Sequence, residues 1–124
     1  MKRWTIQDFA ADAPTVARRL IGARLVRRLE DGRLLAGTIV ETEAYLGVED
    51  QAAHSFGGRR TPRNESMYGP PGTAYVYLIY GIHHCVNIVC GAIDEPTAVL
   101  IRALEPIEGQ DHMATNRPKA RRLR

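Results

Sequence analysis

The sequence has few cysteines and no long apolar run, and each absence excludes a class of protein. Cys85 and Cys90 lie at odd spacing on one predicted strand, so their side chains point to opposite faces and a disulfide between them is disfavoured. No stretch reaches the roughly 20 apolar residues that a membrane-spanning helix needs. The N-terminal residues also lack the apolar segment of a secretory signal. We therefore expect reduced thiols, no membrane partner and a cytoplasmic location.

Several familiar catalytic patterns are also missing. The chain contains no phosphate-binding glycine loop, no nucleophile elbow and no Cys₂His₂ pattern. No lysine lies in the predicted strands, which argues against Schiff-base chemistry. His83, His84 and Cys85 are adjacent on a strand, where neighbouring side chains diverge, so they are not expected to bind a metal. We expect neither a metal nor a cofactor.

The size and composition are those of one soluble domain, but the charge is uneven. The chain has 124 residues, of which 44% are hydrophobic and 25% charged, and we treat residues 1–124 as one domain. Five basic residues occur near the C-terminus without an acid between them: Arg117, Lys119, Arg121, Arg122 and Arg124. A second basic cluster in the central loop comprises Arg59, Arg60 and Arg63, near Glu65. Such clusters suit a phosphate backbone, although charge alone favours a solvated tail and loop.

The order of the predicted elements indicates an α+β fold. Asp12 is a suitable N-cap for a helix with Pro14 in its first turn. Asp31-Gly32 predicts a β-hairpin in which both turn residues take positive φ, and Gly37 predicts a bulge or bend in the return strand. The predicted strands are 23–30, 33–45, 73–80, 84–90 and 97–104. We therefore expect a single domain in which an N-terminal helix packs on a curved, mainly antiparallel β-sheet.

Two glutamates stand out on the strand that ends at Tyr45. Strict alternation would place Ile39, Glu41, Glu43 and Tyr45 on one face, with the two carboxylates roughly 7 Å apart. A pair of carboxylates can hydrolyse a glycosidic bond, because one activates water while the other assists the leaving group. The alternative is that one or both form a structural ion pair with arginine. We favour the ion pair for Glu41 and the functional role for Glu43, although alternation itself cannot separate the two.

Aromatic side chains lie close to these acids in the sequence. Tyr75 and Tyr77 share a face of their predicted strand, whereas Tyr80 faces away or ends the strand. Tyrosines in strands most often pack in a core, and a single histidine such as His54 is most often structural. The long loop 46–71 has no periodicity, and its aromatic and basic content favours a functional role. Planar groups around a carboxylate are suited to sandwich a nucleobase.

Several ordered motifs carry a resemblance to a known family. They are Glu41-Thr42-Glu43-Ala44-Tyr45, Asp50-Gln51-Ala52-Ala53-His54-Ser55, Thr61-Pro62-Arg63-Asn64, Tyr75-Val76-Tyr77-Leu78-Ile79-Tyr80-Gly81, Asn87 and Leu100-Ile101-Arg102-Ala103-Leu104-Glu105-Pro106. In this order they strongly resemble the alkyladenine (3-methyladenine, methylpurine) DNA glycosylase family, over about residues 17–108. The resemblance implies a monofunctional enzyme of base excision repair that hydrolyses the N-glycosidic bond of flipped alkylated purines and leaves an abasic site. The implied substrates are 3-methyladenine and 7-methylguanine, with hypoxanthine and ethenoadenine as a broader range.

The resemblance also implies a catalytic pair and a base pocket. Glu43 matches the general base that activates the water attacking C1′, and Arg102 matches the arginine that helps to hold this water and the carboxylate. Tyr45 matches the aromatic stack on one side of the extruded base. His54 and Tyr77 match the opposite wall of the pocket, and the backbone N–H of His54 would read the base edge.

The remaining implied roles concern selectivity and the contact with DNA. Asn87 corresponds to the residue that crowds the exocyclic amine of normal guanine. Tyr80 is similar to the wedge that enters the minor groove and fills the gap in the base stack. The residues that we expect to contact the DNA backbone are Arg59, Arg60, Arg63 and Asn64.

Members of the family continue past the basic stretch that here ends at Arg124, so we expect the C-terminal part of the family domain to be missing. An uncovered sheet edge would invite pairing with another chain. The expected partner is double-stranded DNA with damaged purines. The expected state is a monomer if that edge is covered, and a bacterial protein would be nucleoid-associated.

Two other interpretations remain open. One is a catalytically impaired, DNA-binding remnant of the family, and the other is a sugar-specific glycoside hydrolase using Glu41 and Glu43, which leaves the tyrosines unexplained.

Overall fold

The computed structural model describes residues 3–46, 60–62, 64–79 and 83–116. The helices are α1 (Ile6–Phe9), α2 (Ala13–Leu20) and α3 (Gln110–Asn116), with a 3₁₀ helix at Glu65–Tyr68. The strands are β1 (Arg24–Arg28), β2 (Leu34–Tyr45), β3 (Ala74–Ile79), β4 (His83–Cys90) and β5 (Thr97–Glu108). They form one antiparallel sheet in the order β1-β2-β5-β4-β3. The α+β class and the antiparallel sheet expected from the sequence are confirmed.

Helix α2 packs against one face of the sheet. The carboxylate of Asp12 caps the helix by accepting a hydrogen bond from the backbone N–H of Thr15. The buried side of the helix consists of Ala13, Val16, Ala17 and Leu20. These side chains form a core cluster with three sheet residues, Ile39, Cys90 and Val99. The predicted helix is therefore confirmed, and one core cluster lies between α2 and the centre of the sheet. A second cluster consists of Met67, Tyr68, Tyr75, Val89 and Ala98.

The hairpin between β1 and β2 is confirmed, but the expected turn geometry is wrong. The backbone N–H of Gly32 donates to the carbonyl oxygen of Leu29 (3.0 Å), and the N–H of Leu29 donates to the carbonyl oxygen of Arg33 (2.8 Å). Gly32 has a φ of 88°, whereas Asp31 does not take positive φ. The loop thus has three residues and ends on a glycine in the left-handed region, which is the next most common hairpin after the two-residue type.

Strand β2 contains irregularities that change which face its residues occupy. The pairing with β5 shifts between Ala36 and Gly37, as the glycine predicted, and an added Cβ at Gly37 would lie 3.0 Å from Leu104 Cβ. Two further shifts flank Glu41. Because of them, the prediction that Ile39 shares a face with Glu43 and Tyr45 is wrong. Ile39 is buried against α2 instead, on the same face as Ala44.

The sequence predicted neither the full length of strand β5 nor the polar helix α3. The strand was expected to end at Leu104, but its pairing with β2 continues to Glu108. Pro106 is tolerated there because it pairs with Gly37 beside a register shift, where the ladder is already irregular. Helix α3 follows directly, and it buries no residue fully, so it leaves no apolar stripe for a sequence pattern to detect.

The two cysteines are free and lie in different environments, as their odd spacing predicted. Cys90 is completely buried in the core under α2, and burial raises the pKa of its thiol. Cys85 is half-buried and pairs with Tyr77 on the neighbouring strand. No helix in the described ranges is both long enough and apolar enough to cross a membrane.

The two edges of the sheet are β1 and β3. Both carry exposed apolar side chains: Val26 on β1, and Val76 and Leu78 on β3. Exposed apolar edge strands are surfaces on which a sheet pairs with further chain. The expectation of a monomer depends on what covers these edges and remains a prediction.

Candidate active site

The sheet register aligns a row of side chains on the face opposite α2. Glu43 on β2 pairs with Leu100 on β5, Leu100 pairs with Asn87 on β4, and Asn87 pairs with Tyr75 on β3. Directly paired residues of antiparallel strands project from the same face. The neighbouring Thr42 points the other way, since its hydroxyl donates to the carbonyl oxygen of Ala17 in α2. The row therefore brings three of the polar or aromatic residues singled out in the sequence onto one face.

Tyrosine rings flank this row. The hydroxyl of Tyr45 donates to Oε1 of Glu43 over 3.1 Å. The rings of Tyr75 and Tyr77 are in contact, with centroids 5.3 Å apart and planes inclined by 42°, so the shared face predicted for them is confirmed. The pKa of Tyr77 is raised to about 12. Burial is the largest cause, and the nearby Cys85, Tyr45 and Tyr75 add to it. The phenols of β2 and β3 are therefore close enough to affect each other.

The carboxylate of Glu43 is held at both oxygens. Oε2 accepts a hydrogen bond of 2.6 Å from Nη1 of Arg102, while Oε1 takes the Tyr45 hydroxyl. Arg102 also contacts Glu41 through Nε, at 3.3 Å from Oε2. The hydrogen bond with Glu43 is the main cause that raises the pKa of Arg102, so the guanidinium remains a permanent cation beside the acid. Glu41 thus forms the ion pair with arginine that the sequence favoured for it.

Asn87 lies buried in the middle of the row, with 2% of its surface exposed. Its side-chain Nδ2 donates to the backbone carbonyl oxygen of Tyr75 over 3.3 Å. A buried amide with a backbone partner has a single stable orientation. Asn87 therefore presents a defined polar edge between the acid of β2 and the tyrosines of β3.

In the described part of the basic loop, Arg60 and Asn64 bind other residues of the protein. Arg60 donates to Glu65 from Nε (2.9 Å) and Nη2 (2.7 Å), lies 3.3 Å from Asp94, and stacks over the ring of Tyr68. Asn64 is buried, and its Oδ1 accepts a hydrogen bond of 2.7 Å from the backbone N–H of Thr61. Both residues thus have structural partners, and their predicted contacts with the DNA backbone stay predictions.

Several predicted site residues lie outside the described residues: His54, Arg59, Arg63, Tyr80 and the basic residues after Asn116. Among the residues that are described, no three His, Cys, Asp or Glu side chains cluster as metal ligands do. A shallow groove of about 610 Å³ runs beside Glu43 between α2 and the bulged part of β2. Its lining includes Arg18, Glu41, Glu43 and Arg102, so the acid is reachable from solvent.

Two residues of the site were given no role in it from the sequence. Leu100 separates Glu43 from Asn87 within the row, and Cys85 lies opposite Tyr77 on β4. Cys85 could be assigned to a strand but not to this contact, because the register between β3 and β4 is not readable from either strand alone.

The site is therefore an acid–arginine pair that lies beside clustered tyrosines on an open antiparallel sheet. Comparison with known sequences identifies the family to which the chain belongs. The model of the methylpurine-DNA glycosylase (MPG) family matches residues 7–124. The DNA-3-methyladenine glycosylase of Rattus norvegicus is 54% identical over 114 residues, which are 92% of this chain and 35% of the rat protein. A protein of Desulfitobacterium hafniense (strain Y51), provisionally named a 3-methyladenine DNA glycosylase, is 53% identical over 119 residues, or 96% of this chain and 58% of that protein. The chain belongs to the methylpurine-DNA glycosylase family, and it spans about half the length of the curated relatives it matches.

Proposed function

We propose that the chain is a monofunctional DNA glycosylase that hydrolyses the N-glycosidic bond of flipped alkylated purines and leaves an abasic site. The observation that carries the proposal is the carboxylate of Glu43, bound by Arg102 and Tyr45 on the face that also carries Asn87 and Tyr77. The names of the relatives, DNA-3-methyladenine glycosylase, support the same activity.

In the proposed reaction, Glu43 acts as the general base. The bond between C1′ and the purine nitrogen breaks, and its electron pair leaves with the base. A water molecule attacks C1′ and transfers a proton to the carboxylate. The negative charge of Glu43 also stabilises the oxocarbenium-like centre at C1′. Arg102 keeps the carboxylate oriented through the 2.6 Å hydrogen bond and helps to position the water.

The extruded base would be stacked between Tyr45 on one side and His54 and Tyr77 on the other. Aromatic walls bind every purine face, so selectivity needs a further element. Asn87 would supply it by crowding the exocyclic amine of normal guanine. Tyr80 would fill the gap left in the DNA stack, and Arg59, Arg63 and the basic C-terminal residues would bind phosphates.

The nature of the damage explains why no strong acid is needed for the best substrates. An alkylated purine such as 3-methyladenine already carries a positive charge, so it leaves as a neutral base. A damaged base also costs less to unstack from the duplex. The proposed substrates are 3-methyladenine and 7-methylguanine, together with hypoxanthine and ethenoadenine, whose departure requires protonation. The proposal involves no metal and no cofactor, and no lysine that could form a Schiff base lies between Lys2 and Lys119.

The test is single-turnover release of base from duplexes that carry one 7-methylguanine, hypoxanthine or ethenoadenine. The wild-type chain should release base, and Glu43→Gln should lower the rate at least about 100-fold, the usual contribution of a general base. Glu105→Gln is the matched control, because it removes one carboxylate from an exposed position on β5. It should leave the rate unchanged.

The alternative is a chain that binds DNA without releasing a base. A folded wild-type chain that binds DNA but releases no base from any of these duplexes would favour this alternative. Release of base that survives Glu43→Gln would reject the proposed general base.

A further inference from the structure

Arg102 is held by two carboxylates through two different nitrogen atoms. Nη1 binds Oε2 of Glu43 at 2.6 Å, and Nε lies 3.3 Å from Oε2 of Glu41. Both glutamates come from β2, whereas Arg102 comes from β5. Within the described part of the chain, no hydrogen bond involves the third nitrogen, Nη2.

The bulge in β2 accompanies this double contact. Glu41 pairs with Ala103, the residue next to Arg102, and the register shifts on both sides of Glu41. Such an irregularity re-aims a side chain relative to regular alternation. The same shift places Ile39 in the core under α2, so the bulge separates a buried half of β2 from the half that carries the site.

The double contact restricts an otherwise mobile side chain. The Arg102 side chain is 62% exposed, and a long exposed arginine has many rotamers. The hydrogen bond from Nη1 fixes one end of the guanidinium, and the ion pair at Nε restricts the rotation of its plane. Exposed ion pairs add little to the stability of a protein, so the main effect of Glu41 is on orientation.

We propose that Glu41 is a positioning residue, which holds the guanidinium of Arg102 in the orientation that binds Glu43 and leaves Nη2 available to the attacking water. The proposal rests on the proposed catalytic role of Glu43. It adds a function for a carboxylate that otherwise forms only a surface ion pair.

The kinetic test compares Glu41→Ala, Glu41→Gln and the control Glu105→Gln. Glu41→Ala removes the contact and should lower the single-turnover rate about 10-fold, the scale of effect expected from a loosened catalytic group. Glu41→Gln retains an oxygen that can accept from Nε, so it should recover part of the rate. The affinity for lesion-containing DNA and the midpoint of urea unfolding should stay at the wild-type values for all three variants.

A second readout does not depend on activity. The Nε–H resonance of Arg102 in ¹⁵N-labelled free protein is assigned by its loss in Arg102→Lys. A guanidinium held at Nε gives a sharp, slowly exchanging signal, and Glu41→Ala should broaden this signal or speed its exchange. Glu105→Gln should not affect it.

The two readouts separate the possible results. A slower rate together with a less ordered Arg102 signal, at unchanged DNA affinity, supports the proposal. An unchanged signal in Glu41→Ala overturns it, and so does a loss of rate that merely follows a loss of DNA binding or of stability. If the wild-type chain releases no base, the proposed function fails, but the resonance still decides whether Glu41 orders Arg102.

Discussion

Asn87 donates a side-chain hydrogen bond of 3.3 Å to the backbone carbonyl of Tyr75, the residue with which it pairs on the neighbouring strand. The amide is therefore fixed by the sheet itself and not by a loop. Because Tyr75 also contacts the ring of Tyr77, this hydrogen bond links the polar centre of the site to its aromatic side.

Asn87→Ala should destabilise the protein by about 1–3 kcal/mol, because the substitution removes a buried hydrogen bond and leaves a space beside the tyrosines. It should also increase the release of normal guanine relative to 7-methylguanine, if Asn87 crowds the exocyclic amine. Urea unfolding and single-turnover assays measure the two effects. The control is Asn116→Ala, which removes an exposed amide at the end of α3. An unchanged unfolding midpoint in Asn87→Ala would contradict the structural role.

Tyr77 should titrate at a higher pH than an unperturbed tyrosine. Burial and the neighbouring Cys85, Tyr45 and Tyr75 raise its pKa to about 12, above the ordinary value of about 10. Absorbance near the phenolate maximum should therefore show a late step that is absent in Tyr77→Phe and retained in Tyr68→Phe. Circular dichroism recorded in parallel confirms that the chain is still folded. If Tyr77→Phe instead loses one tyrosine from the early part of the titration and keeps the late step, the pKa of Tyr77 is not raised.

The same shift predicts how stability depends on pH. As the pH rises past about 10, the unfolded chain releases the Tyr77 proton before the folded chain does. Stability contributed by the neutral phenol is thus fully present below that pH and is lost as the pH approaches about 12. In Tyr77→Phe this part of the decline should disappear.

Arg60 offers a direct choice between a structural role and a DNA contact. Its guanidinium binds Glu65 and Asp94 and stacks on Tyr68, so Arg60→Ala should loosen the loop and lower the unfolding midpoint slightly, more at low salt than at high salt. If Arg60 serves only the structure of the loop, the salt dependence of DNA affinity stays as in the wild type. Arg19→Ala, which removes an exposed arginine of α2, is the control for the change in net charge. A decrease of about 1 in the slope of log affinity against log salt would instead identify Arg60 as a phosphate contact.

Local signals in the sequence predicted many of the elements. Asp12 and Pro14 marked the start of α2, and the Asp31-Gly32 pair marked the hairpin, because caps and turns depend on a few adjacent residues. The three-residue length of the hairpin loop was not predicted, because a dipeptide signal does not determine how many residues close the turn. Helix α3 was not predicted, because it buries no residue fully and so lacks an apolar stripe.

The site residues were identified one by one, but their arrangement was not. The alternation rule failed at the bulge around Glu41, because the register shifts there break the two-residue repeat of the strand. The rule therefore misplaced Ile39, although it correctly placed Tyr75 and Tyr77 on one face. The partner of Glu41 was expected to be an arginine, and the structure identifies it as Arg102.

The family, the start of α2, the β1–β2 hairpin and the residue types of the site could be predicted from the sequence, because they depend on residue identity and local order. The position of β5 between β2 and β4 could be seen only in the folded sheet. That strand order brings Arg102 to Glu43 across 59 residues of chain and aligns Glu43 with Asn87 and Tyr75. The physical reason is that strand order and register are set by packing of the whole sheet against α2, and no single segment contains that information.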